Sequence, residues 1–268
     1  MQYYENIVKK RNSCRGFSAR KVPEEALAGI RKYYEDVESV LVEGIGTELK
    51  FYSSDSYELL KQHVGYNGIC IKAPNYLVLY SDKADHYLEN AGYIAQGMTL
   101  MMAELGLASC WMTIDDAAAV KKALSEDNGM EVACVVAFGY RDPENKEKRA
   151  PKITIEELCL GKDFRTEANL VRLTRELEDC LRACAHSQSF LNLQPYRLLV
   201  DYDRVSLVGL PSEMTNEADR RLNYGIVMFN FYSVMWAVRP SAPKWSFEPP
   251  ERDLRLPEDV EYVASIRI

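Results

Sequence analysis

The order of apolar helices and continuous apolar strands starts over about midway along this chain, and that recurrence limits its possible folds more than any bulk property does. In the first half, Pro23 to Leu41 reads as a helix. Pro23 stands at its start, Glu24 and Glu25 suit the positive end of the dipole, and Ala26, Leu27, Ile30, Tyr33 and Tyr34 form an apolar stripe. Tyr76 to Tyr80 (YLVLY), behind Pro74, is a short apolar run expected to be a buried strand. A helix is expected from Ala84 to Leu105, stopped by Gly106, and Val132 to Phe138 (VACVVAF) gives a second buried strand ended by Gly139. Arg141 to Lys152 is a charged loop. The second half opens again on a helix, Thr166 to Ala185, followed by a strand at Tyr196 to Tyr202 and a helix from Asn223 to Val238.

Short blocks recur with the elements. Leu27 with Glu35-Asp36 is echoed by Leu170 with Glu178-Asp179, Pro74 before YLVLYSD by Pro195 before YRLLVDYD, and Asn90-Ala91-Gly92 by Asn223-Tyr224-Gly225. The spacings are unequal, so insertions must separate the copies. Read as a duplication, residues 1–160 and 161–268 are two similar halves fused and packed as one unit. Such a chain imitates a two-fold dimer, whose sites often lie between the halves.

Charge and cysteine usage narrow the function. With 33 Lys and Arg against 40 Asp and Glu, the net charge of −7 argues against a general nucleic-acid binder. The seven cysteines include no CxxC pair, and Cys180 and Cys184 read as small buried hydrophobes, so a reduced, cytoplasmic setting is expected. The start, MQYYENIVKK, has no hydrophobic signal core, and the longest apolar run, Ile226 to Val238, falls short of the ~20 residues that span a bilayer. Gly44-Ile45-Gly46 opens like a dinucleotide fingerprint, but Leu49 holds the third glycine position. P-loop, HExxH and GxSxG motifs are absent. His63, His86 and His186 have no ligand spacing, so no metal is expected.

Three segments carry chemistry. Lys9-Lys10-Arg11-Asn12-Ser13-Cys14-Arg15 sets two arginines around a hydroxyl, fork-like donors suited to a phosphate monoester. Taken alone, such a run is more often a solvated basic helix end. A second basic group, Lys146, Lys148 and Arg149, follows the strand ending at Gly139. Ser187 to Pro195 sets hydroxyl and amide groups between a helix end and a strand, suited either to the edge of a planar heterocycle or to a capped turn. Glu104 to Thr113 reads as a helix ending in glycine and then a small-residue loop, with backbone N–H groups open to a ligand. Trp111 and Met112 there suit the wall of an aromatic cofactor or simple apolar packing.

These segments resemble the FMN-dependent nitroreductase superfamily, most closely its internally duplicated branch. KKRNSCRGFSARKVPEEAL resembles the RRSxRxF start, ENAGYIAQGMTLMMAELGLASCWM the helix ending in GLGTCW, VACVVAFGYRDPENKEKRAPKITIEEL the KxR…LEEL segment, and SQSFLNLQPYRLLV the APSxxNxQPW motif. In ordinary members that last motif soon follows RRSxR. Here VESVLVEGIGTELKFY stands in that place, and SxxNxQP comes only in the second half, as a fused pseudo-dimer would have it.

The resemblance implies an α+β fold, a mixed sheet flanked by helices, with one FMN per chain and NADH or NADPH as donor. Arg11, Ser13 and Arg15 would hold the phosphate and lower ribityl chain, Asn12 the pyrimidine side, and Arg149 with Lys148 would close the phosphate site. Met112 and Thr113 would offer backbone donors near flavin N5. Ser189 and Asn192 would come from the other half, with Gln194 supporting their loop, and Asn67 matches a flavin-contacting Asn across a one-residue gap. Gln188, Ala108 and Tyr196 depart from the motifs' proline, glycine and tryptophan, and GKDFRTEANL stands where the second half would repeat RRSxR.

The implied activity is hydride transfer from the nicotinamide to the flavin, then reduction of a small-molecule acceptor such as a nitroaromatic or quinone. Dehalogenation, dehydrogenation, flavin breakdown and a non-catalytic scaffold stay open beside it. A monomer or weak homodimer is expected, with the proline-rich stretch Pro240 to Pro257 either crossing a neighbour or capping its own fold.

Overall fold

In the computed structural model, residues 3–36, 40–241 and 244–268 are described. The chain divides into two compact units, Lys10–Arg149 and a second made of Met1–Lys9 with Ala150–Ile268. The division thus falls before Ala150 and gives the first nine residues to the second unit, whereas the sequence alone suggested 160/161. The reason is visible in the chain. Thr154 caps a short helix in a reciprocal box with Glu157, and the strand Cys159–Leu160 that follows pairs with the second unit's sheet.

In the Lys10–Arg149 unit, α1 (Glu24–Asp36), β1 (Thr47–Ser53), α2 (Tyr57–Leu60), β2 (Asn75–Ser81), α3 (Tyr87–Glu104), β3 (Ala108–Met112), α4 (Ala117–Ala123) and β4 (Glu131–Gly139) follow in order. Val40 and Leu41 are not helical, so α1 stops short of the expected Leu41; residues 37–39 lie outside the described residues. The strands form an antiparallel sheet ordered β1-β2-β4-β3. The two apolar runs are its central strands. Tyr76, Val78 and Tyr80 face a core shared with Leu60, Val120 and Val135, while Leu77 and Leu79 point the other way by strand alternation. Helix α3 is buried on every side from Glu89 to Leu100, as a helix packed within a core must be.

The second unit holds α5 (Ile155–Leu158), β5 (Cys159–Leu160), α6 (Arg175–Ala185), β6 (Tyr196–Val200), β7 (Arg204–Gly209), α7 (Glu217–Val238) and β8 (Glu261–Arg267). Its sheet runs β5-β6-β7-β8, with β5 parallel to β6 and the rest antiparallel, so the fold is α+β with mixed pairing. Helix α6 starts at Arg175, not Thr166, because Thr174 accepts from Leu177 N at 3.3 Å, while Gly161 N donates to Thr166 O in a tight turn. Helix α7 starts earlier than expected because Asn216 caps Asp219 N at 2.7 Å. The proline-rich stretch caps its own unit: Trp245 Nε1 donates to Met228 O at 3.0 Å and its ring meets Phe231 edge-on.

With α2, β3 and α4 set aside, the order α1-β1-β2-α3-β4 of the first unit matches α6-β6-β7-α7-β8 of the second. Both sheets carry a bulge at the same place, between Leu79 and Tyr80 against β4 and between Leu207 and Val208 against β8. In both, an asparagine in the long helix holds the loop before the first strand. Asn90 Oδ1 accepts from Leu41 N and Val42 N, and Asn223 Oδ1 from Phe190 N. The Asn90 and Asn223 blocks thus hold corresponding places in the two series. The Pro74 and Pro195 blocks precede strands of different rank, β2 and β6.

Candidate functional site

The basic motif is positioned by the free edge of β3. Ser13 bridges Ser109 in parallel and Cys14 N donates to Ser109 O at 3.1 Å. Ala108 to Met112 is therefore an edge strand rather than the expected loop. Its small residues pair with β4, Ala108 opposite Gly139, and leave the other edge for residues 13 and 14. The charged loop after β4 is stitched to the same segment. Phe17 bridges Arg141, Ser18 N donates to Tyr140 O at 2.9 Å, and Asp142 N to Gly16 O at 3.1 Å. Gly16 permits this approach, since a Cβ there would stand 2.6 Å from Asn145 Nδ2.

Arg11 is the electrostatic centre. Its side chain is 9% exposed, Nη2 donates to Ser109 Oγ at 3.3 Å, and Nε has no hydrogen-bond partner. Among the described residues no carboxylate pairs with it. Burial pulls the guanidinium down to about 10, the mark of a cation kept from both water and counter-ion. Arg15 is neutralised instead: its backbone N donates to Glu147 Oε2 at 3.1 Å and its guanidinium pairs with the same carboxylate. Cys110 lies within reach of both arginines, yet burial still pushes its thiol up. Arg149 reaches back to Lys10 O at 3.3 Å, Asn12 Nδ2 donates to Ser13 O at 3.3 Å, and Lys148 is exposed.

The far end of β3 gathers the remaining candidates of this unit. Gly65 N donates to Thr113 O at 2.8 Å, and Val64 bridges Ile114. This docks the turn that carries Asn67, itself left-handed at φ 50°, beside Met112 and Thr113. Only glycine suits position 65: φ is +124° and a Cβ would stand 2.2 Å from Ile69 O. The Met112 side chain belongs to the core with Val135, so any contribution to a ligand is through its backbone. Four residues of strand separate Ser109 from Thr113, roughly 13 Å at ~3.3 Å each. The candidate residues thus lie toward the two ends of β3, the cationic motif at one and the turn docked on Thr113 at the other. Sequence reasoning does not single out Ser109 or Glu147, and Trp111, which it reads as a cofactor wall or packing, has a buried Nε1 without a hydrogen-bond partner among the described residues. Ser109 carries a signal in hindsight, a hydroxyl on the strand that the basic motif joins.

In the second unit, Ser189, Asn192 and Gln194 form a self-bonded loop. Ser189 Oγ accepts from Gln194 N at 2.9 Å, and Asn192 Nδ2 donates to Pro151 O at 2.7 Å while its Oδ1 accepts from Lys152 Nζ. Gln194 Nε2 donates to Ala185 O at 2.8 Å and its Oε1 accepts from Ile153 N at 3.1 Å. Leu191, Asn192 and Gln194 are all left-handed, a shape these bonds hold. Where the second half would repeat the basic motif, Asp163 pairs with Arg255 at 2.5 Å. Among the described residues no group of His, Cys, Asp and Glu is placed to hold a metal, and no helix is long and apolar enough to cross a membrane.

A family model described as "Putative TM nitroreductase" matches residues 3–234. No curated protein matches the chain. Among solved structures, a "putative nitroreductase" from Thermotoga maritima is similar at 15% identity with a TM-score of 0.63, over 99% of this chain and 93% of that one. A "Putative NADH dehydrogenase/NAD(P)H nitroreductase" from Parabacteroides distasonis is 16% identical with a TM-score of 0.50, over 59% of this chain and 96% of its own. A "putative nitroreductase" from Bacillus subtilis is 19% identical with a TM-score of 0.50, over 57% of this chain and 96% of its own.

Proposed function

This chain belongs to the nitroreductase family whose model spans residues 3–234, and from that premise we propose that it is an FMN-dependent oxidoreductase using NADH or NADPH. The observation that carries the FMN reading is Arg11, a buried guanidinium that, among the described residues, has no partner at Nε and no carboxylate to neutralise it. A buried cation in that condition is costly until an anion joins it, and a phosphate monoester supplies both the charge and the acceptor oxygens. Ser13 and Arg15 follow Arg11 in the motif, and Arg149 and Lys148 lie on the loop stitched to it, so these residues would hold the phosphate. Asn12, Asn67 and the Met112–Thr113 backbone would serve the ring end. Ser189 and Asn192 are assigned by the resemblance, with Gln194 as the brace of their loop.

FMN, when bound, supplies hydride acceptance from a nicotinamide and onward reduction of a small-molecule acceptor such as a nitroaromatic or quinone. The chain's own part is to bind and orient. Arg11 fixes the anionic end, the edge of β3 sets the direction of the ligand, and backbone N–H groups near Thr113 favour negative charge as it develops. No side chain is assigned as a general acid. The experiment is a spectrum and an assay: flavin-free protein titrated with FMN, then mixed anaerobically with NADH or NADPH. Bleaching of the bound flavin band, restored by a nitroaromatic or quinone, is expected. Protein that takes up no FMN, or whose bound FMN neither nicotinamide reduces, would overturn the reading.

A further inference from the structure

We propose that Glu147 is an internal counter-anion occupying the phosphate's place on Arg15, and that it sets how tightly and how selectively this unit takes a phosphorylated flavin. The inference rests on the FMN reading and deepens it. The Glu147 carboxylate sits on two donors of one residue, the Arg15 backbone N–H and the Arg15 guanidinium. That combination of a peptide N–H and a guanidinium is what a phosphate monoester would itself use. The carboxylate side chain is 22% exposed, against 63% for Arg15, so it lies under the arginine rather than waving in solvent.

Its position is built. Glu147 N donates to Asn145 Oδ1 at 2.9 Å, and Asn145 Nδ2 reaches Gly16 O at 3.4 Å, one residue past Arg15. A glycine at position 16 is what lets Asn145 approach. Burial alone would raise the Glu147 carboxyl, but the bonds from Arg15 outweigh it and hold the group below the usual carboxylate range. The two arginines of the motif therefore differ. Arg11 is ready for an anion as it stands, whereas Arg15 gives up a carboxylate before it can serve one. A flavin without a phosphate never meets this competition, because only the phosphate needs the place that Glu147 holds.

The test compares FMN with riboflavin on flavin-free protein, by quenching of flavin fluorescence, in wild type and Glu147→Gln. The amide keeps the shape of the side chain and removes its charge. Glu147→Gln is expected to bind FMN roughly tenfold more tightly, since a unit negative charge beside the phosphate is gone, and riboflavin with its wild-type affinity. Equal FMN affinity in both proteins, or an equal gain for riboflavin, overturns the proposal. Should Glu147→Gln fail to fold by circular dichroism, Asn145→Ala tests the same point by releasing the carboxylate's anchor, with a smaller gain for FMN alone expected. Failure of the FMN reading looks different: neither flavin binds, or Arg11→Ala binds FMN as wild type does.

Discussion

The two units share part of their order of elements but differ in how their arginines are paired. In Lys10–Arg149, Arg11 is buried and, among the described residues, no carboxylate pairs with it. In the other unit, the equivalent stretch of sequence carries Asp163 bonded to Arg255, Asp201 pairs with Arg252, and Glu261 meets Arg220 and Arg221. The bulge and the loop-holding asparagine, which serve the sheet, occur in both units. The buried arginine that has no paired carboxylate among the described residues, Arg11, lies in Lys10–Arg149. Our proposal of one flavin site per chain rests on this difference, since the arginine without a paired carboxylate lies in Lys10–Arg149.

The sharpest way to break this contrast is to remove the charge on each side. Arg11→Ala is expected to weaken FMN binding by about a hundredfold, as loss of a buried, charge-assisted contact to phosphate should, while Arg255→Ala leaves the affinity within about twofold. Calorimetric titration of both variants reads the difference; equal losses would show that neither unit is special.

Next in size is the backbone. Gly65→Ala forces a Cβ to 2.2 Å from Ile69 O at φ +124°, and Gly161→Ala forces one to 2.7 Å from Glu167 O. Gly65→Ala is expected to cost about 2–3 kcal/mol in urea unfolding and to loosen FMN, because its amide holds Thr113. Gly161→Ala is expected to destabilise by less and leave FMN binding alone.

Smaller still are the paired asparagines. Asn90 accepts two loop N–H groups, at 2.9 and 3.1 Å, and Asn223 one, at 3.3 Å. Asn90→Ala should therefore cost about 1 kcal/mol and Asn223→Ala less, measured by thermal unfolding. The reverse order would undo the equivalence drawn between them.

The smallest effect concerns pH. The Arg255 hydrogen bond pulls Asp163 down to about 2, below its unfolded value of ~3.9. The stabilisation it gives is complete above the unfolded value and is lost as pH falls from about 4 toward 2. Arg255→Ala should flatten that part of the stability–pH curve, and an unchanged acid limb in the variant would contradict it.

Much of the sheet was legible because its central strands are continuous apolar runs, and those survive any error of end placement. Its edges were not. Thr47–Ser53 alternates with charged residues, and Ala108–Met112 is short and small enough to pass for a loop. Helix α7 begins before its apolar run because the polar first turn after Asn216, its cap, carries no apolar periodicity to read. The echoed Pro74 and Pro195 blocks precede strands of different rank, because a proline marks a strand start of any rank. In the site, the basic motif could be read directly. Its division of labour could not, because burial of Arg11 and capture of Arg15 by a carboxylate 132 positions away are tertiary facts.

The most direct measurement is the number of FMN molecules that flavin-free protein binds at saturation, with wild type and Arg11→Ala side by side. One per chain in wild type and none at the same concentration in Arg11→Ala is the predicted result. Two per chain, or saturation untouched by Arg11→Ala, would contradict a single site built on the unit that left its arginine open.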